Sequence, residues 1–122
     1  MIQLRSRLNL ADNSGARQLV VIGIHPGSKR RFGYLGEVVT AVVEGADVNG
    51  QVKDKEVLRA VIVRTKKEQQ RSDGSVIRFD DNAACVIDKN GVPRATRVFG
   101  PVAREVKERG FSKIASLAAE VV

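Results

Sequence analysis

The feature that most constrains this chain is the rhythm of its short apolar runs. Arg17 to Ile24, Val38 to Val43 and Leu58 to Val63 are rich in Val and Ile and bounded by Gly, Asn or charged clusters, which is the pattern of strands. Ile2 to Leu4 and Leu8 to Leu10 predict an earlier strand with Arg5 and Arg7 alternating between apolar neighbours; Val76 to Phe79 and Ala84 to Ile87 add one or two more. No helical period appears before residue 100, and the spacings are too short for crossover helices. An all-β barrel or sandwich is therefore expected.

The punctuation between the runs agrees. Asp12-Asn13-Ser14-Gly15 gathers four turn formers, three of which tolerate left-handed backbone. Asn49-Gly50 and Asp73-Gly74 are hairpin signals, and Asn90-Gly91 followed by Pro93 marks another reversal. The tail changes character. Pro101 suits a first helical turn, where its missing N–H has no partner to lose, and Val102 to Arg109 then reads as a helix with Gly110 behind it. Phe111 to Ile114 reads as a second short turn of helix. The expected organisation is a single domain, with a β-barrel over about residues 1–99 and a helical appendix over about 100–122.

Charge narrows the function. Twenty-one Lys and Arg against 14 Asp and Glu give +7 and a pI near 10.1, which favours polyanionic partners. The excess is blocked: +5 over residues 1–36, −3 over 37–58, +4 over 59–79, −3 over 80–88 and +5 over 89–113. Blocks on this scale imply faces, some toward RNA and others toward solvent or protein. Lys29-Arg30-Arg31 lies between Gly27 and Gly33, where glycine lets backbone approach a phosphate and arginine forks onto two oxygens. Phe32 and Tyr34 beside it suit either base stacking or the core. Lys66 to Arg71 is expected at a hairpin tip, where a solvated charged tip and RNA contact are nearly even readings.

Catalytic constellations are missing from the sequence. His25 stands alone before Pro26, Cys85 lies in the apolar run Ala83 to Ile87, and Asp80-Asp81 suits a turn or cap better than acid–base chemistry. One cysteine forms no intramolecular disulfide and offers no paired metal site. No apolar run approaches membrane-spanning length, and Met1 to Arg5 passes directly into strand-like alternation without a targeting segment. These features give the expectation of a cytosolic non-enzyme without cofactor, metal or membrane. A free single-strand-binding module would want more aromatic platforms than the 4% present.

Several collinear motifs resemble one family across nearly the whole chain. They are Met1-Ile2-Gln3, Leu8 to Arg17, Lys29 to Phe32, Ala60 to Lys67, Asp73 to Ala83, Thr96 to Glu105 and Lys113 to Ala118. The sequence resembles the universal family of large-subunit ribosomal protein fourteen, in its bacterial type. It departs from the usual pattern at Cys85, Ala95, Ser112 and Ala119. The resemblance implies a mainly β fold: a five-stranded OB-like β-barrel with a β-ribbon and short C-terminal helices. It also implies binding to large-subunit rRNA, a bridge to small-subunit rRNA, contact with large-subunit ribosomal proteins three and nineteen, and docking of a ribosome-silencing factor. Bacterial cytoplasm and an organelle are both compatible locations. Together, resemblance and charge assign Arg17, Lys29, Arg30, Arg31, Arg64, Lys66, Lys67, Arg71 and Arg78 to rRNA. The resemblance alone assigns Thr96, Arg97 and Lys113 to protein docking.

Overall fold

A computed structural model describes residues 1–25 and 31–122. Five strands, β1 (Arg7–Leu10), β2 (Ala16–Ile24), β3 (Val38–Ala46), β4 (Val57–Arg64) and, later in the chain, β7 (Ala83–Ile87), form a closed barrel in the order β1-β2-β3-β4-β7. Neighbours pair antiparallel except β1 with β7, which close the barrel in parallel through Asn9↔Ala83 and Leu10↔Ala84. Closure removes the open edges that a sheet would otherwise expose. Between β4 and β7 runs a two-stranded ribbon, β5 (Gln69–Gln70) with β6 (Val76–Ile77).

Two apolar cores follow from strand alternation. Leu19, Val21, Val39, Ala41, Val43, Leu58, Ala60, Ile62, Ala84 and Val86 point inward and fill the barrel. The opposite faces of β4 and β7 supply Val61, Val63, Ala83, Cys85 and Ile87 to a second core outside the wall. The C-terminal segment covers that core with Val98, Val102, Val106 and Ile114. Strands buried on both faces explain why the Ala83 to Ile87 run is apolar throughout, with all five residues buried.

The tail is less helical than its sequence predicts. Pro101–Val102 is a strand, β8, paired in parallel with β9 (Glu120–Val121), and the helices α1 (Arg104–Glu108) and α2 (Ser112–Leu117) lie between them. Pro101 thus opens a strand, because the N–H it lacks is not needed on that edge; helix begins only after Ala103. Gly110 ends α1 in the left-handed region, at φ +98°.

Two turns also differ. Ile2 makes only an isolated bridge to Gly33, and the chain then reverses at Arg5, φ 69°, so no strand covers Ile2 to Leu4. Asn49-Gly50 is not a tight hairpin: residues 47–56 form a longer connection, and Gly50 is instead required by close packing, its position for a Cβ lying 3.0 Å from Gly15 Cα. Asp73-Gly74 and Asn90-Gly91 do reverse the chain, with Gly74 at φ +89° and Gly91 at φ +80°. The Gly15 turn, φ +100°, is built around buried Asp12, which accepts from Ser14 N–H and Oγ–H and reaches across to accept from Val86 N–H at 2.8 Å. Burial pushes the Asp12 carboxyl above its ordinary value, and these donors offset part of that cost.

Candidate nucleic-acid interface

Two basic blocks distant in sequence meet at the base of the ribbon. Ile2 bridges Gly33 through two backbone hydrogen bonds of 2.9 and 2.7 Å, and Leu35 N–H donates to Gln69 Oε1 at 3.1 Å. The Arg31 segment is thereby held beside β5. The Met1 amine lies below its ordinary value, first through burial and then through the charge of Lys67, which places the 66–67 segment on the same side. Arg31, Lys66, Lys67 and Arg78 are all exposed there. Lys66 is pinned through its backbone, its N–H donating to Asn82 Oδ1 at 2.8 Å, which leaves the ammonium for solvent or a ligand. Lys67 pairs with Glu68 at 2.9 Å; Arg31 and Arg78 form no ion pair among the described residues. Lys66 and Lys67 stand before β5 and not at the turn, since the ribbon reverses at residues 72–75.

Two of the arginines expected on RNA are held by partners within the chain. A register shift between Ile62 and Arg64 lets Val63 and Arg64 break the alternation of β4. Such a bulge re-aims the following side chain. Arg64, which would otherwise share the barrel-interior parity of Ile62, swings outward to the C-terminal segment. It donates to Phe99 O at 2.8 Å and Pro101 O at 3.1 Å and pairs with Asp81 at 3.0 Å, its side chain 11% exposed. Arg71 is similarly committed, to Glu105 at 2.9 Å and to Val122 O at 2.6 Å. Both are internal clamps between ribbon, barrel and tail. Asp80-Asp81 is split accordingly, with Asp81 holding Arg64 and Asp80 exposed.

Arg17 lies apart, exposed at the start of β2 and stacked over Gly45, where a Cβ would stand 3.2 Å from Arg17 Cδ. Lys29 and Arg30 fall outside the described residues. Phe32 and Tyr34 are half-buried. His25 is tied to Thr40 Oγ1 at 2.7 Å, a structural contact.

Thr96, Arg97 and Lys113 are all exposed, and each segment is anchored by a residue of the outer core, Val98 for the first two and Ile114 for the third. No local motif marks the residue that positions Thr96 and Arg97. Asn13 Oδ1 accepts from both of their N–H groups at 3.1 Å, and its Nδ2 donates to Thr96 Oγ1 at 3.1 Å. Its place in a four-residue turn signal disguised a long-range role.

No described helix is long and apolar enough to cross a membrane. The closed five-stranded barrel, its ribbon and the short C-terminal helices are the fold that the resemblance implies. The family model for ribosomal protein L14p/L23e matches residues 1–122, the full length of the sequence, and the chain belongs to that family of structural proteins of the large ribosomal subunit.

Proposed function

We propose that this protein binds large-subunit rRNA through the cations at the ribbon base, with Arg17 as a separate contact. The observation that carries the reading is the sorting of the arginines. Arg64 and Arg71 are consumed by internal partners, whereas Arg31 and Arg78, with Lys66, stay exposed and unpaired among the described residues. Exposed cations held near one another suit phosphates, which position an RNA without specifying its sequence. Lys29 and Arg30 extend the same segment in sequence. On this reading the internal clamps orient the surface and contribute little direct contact.

The same reading assigns Thr96, Arg97 and Lys113 to a protein-docking face used by a ribosome-silencing factor. The bridge to small-subunit rRNA shares that exposed face, and ribosomal proteins three and nineteen take other parts of the surface. Support for the docking face is the fixed presentation of Thr96 and Arg97 by Asn13.

Binding of the purified protein to a large-subunit rRNA transcript across a salt series tests the main claim. Replacing Arg31, Lys66 and Arg78 together by Ala should lower the slope of log affinity against log salt by about two to three, because each neutralised phosphate contributes about 0.7 to 0.9. An unchanged slope would place these cations in solvent.

A further inference from the structure

All five aromatic residues are among the described ones, and of them Phe99 alone is exposed, at 52%, lining a groove of about 610 Å³. Arg78, Phe79, Asp80, Asp81, Gly100 and Pro101 form much of the rest. Its backbone is fixed on both sides. Phe99 N–H donates to Ala11 O, its carbonyl accepts from Arg64, and Gly100 turns at φ +77°, with Arg64 Nη1 2.6 Å from where a Cβ would stand. An exposed aromatic ring on so constrained a backbone is a platform presented to something outside the chain.

We infer that this groove takes one unstacked ribonucleotide, with its base on the Phe99 ring and its phosphate on Arg78. The inference rests on the rRNA-binding reading above and assigns that reading a specific subsite. Three parts of the lining match three parts of a nucleotide. The ring supplies a stacking face, which every base can use. Arg78 supplies a guanidinium that is in no ion pair among the described residues, and Asp80 an exposed acceptor for a ribose hydroxyl or an exocyclic amino group. Asp81 is neutralised by Arg64, so Asp80 is the one carboxylate of the lining left to oppose the phosphate on Arg78. Volume is adequate for a small ligand. The groove also continues from the ribbon-base cations, since Arg78 follows β6. A protein side chain is the less suitable occupant, because Asp is depleted from protein interfaces, and here Asp80 stays exposed in the lining beside the single aromatic plane.

The test is binding of Phe99→Ala, Phe99→Leu, Phe99→Tyr and Arg78→Ala proteins to the large-subunit rRNA transcript, each at several salt concentrations. Base stacking on an aromatic ring corresponds to about 5- to 150-fold in affinity. Phe99→Ala and Phe99→Leu should both lose affinity in that range with the salt slope unchanged, while Phe99→Tyr keeps it. Arg78→Ala should lower the slope by about one. The Leu and Tyr variants keep the test sound if Ala disturbs the fold. Wild-type affinity in Phe99→Leu would overturn the subsite, because an aliphatic side chain then serves equally and the groove fits a protein contact or nothing. If the wild-type protein itself bound the transcript no better than an equal mass of tRNA, the rRNA reading would fail first, and the subsite with it.

Discussion

Removing the Arg64 side chain is the perturbation that most directly tests how the barrel and tail are joined. Arg64→Ala would leave Phe99 O and Pro101 O without their donor and Asp81 without its countercharge. The part-buried Pro101 O deprived of its donor costs about 1–3 kcal/mol, whereas Phe99 O lies at an exposed contact and regains water. Asp81 is more than a third exposed and regains water, so its share is small. The expected loss is about 1–3 kcal/mol, or roughly 3–12 °C in Tm for a domain of this size. Arg64→Lys should recover less than half, because an ammonium cannot fork toward two carbonyls and a carboxylate together. Thermal unfolding followed by circular dichroism measures the losses. A double-mutant cycle pairing Arg64→Ala with Asp81→Asn separates the ion pair from the carbonyl bonds; its coupling should be under about 1 kcal/mol. A loss below about 0.5 kcal/mol for Arg64→Ala would refute the clamp and return Arg64 to the candidates for rRNA contact.

Three further outcomes follow from the same geometry. Cys85→Val should stay within about 1.5 kcal/mol of wild type, and the native thiol should resist a thiol reagent, because burial and then the charge of Asp12 push its pKa up; rapid labelling would contradict its burial. The Glu56 carboxyl is held below its ordinary value of 4.5 by Lys53 N–H and then by Arg94. A carboxyl lowered on folding adds stability above its unfolded pKa and loses it as pH falls through the folded one, so Tm should decline on acidification below 4.5 and Glu56→Gln should flatten that decline. Arg97→Ala with Lys113→Ala should leave incorporation into the large subunit intact by sedimentation while weakening silencing-factor binding by about 2–5 kcal/mol; lost incorporation with normal factor binding would move Arg97 to the rRNA surface.

The barrel strands were legible because alternation and turn chemistry are local. Val38–Ala46 and Val57–Arg64 carry their β preference in consecutive residues, and Asp73-Gly74 needs only its own left-handed glycine to reverse the chain. Charge blocks likewise required no coordinates. What the tertiary structure decided is non-local. Whether Pro101 opens a helix or a strand depends on Glu120–Val121 arriving beside it, almost twenty residues later. Whether Arg64 faces the barrel, the tail or solvent depends on a single bulge set by pairing with β7. Asn13 reads as a turn residue until Thr96 and Arg97 fold against it. Each basic side chain looks alike in sequence, because guanidinium chemistry is the same everywhere. Only the placement of carboxylates and carbonyls from distant strands separates the clamps, Arg64 and Arg71, from the exposed cations, Arg31 and Arg78.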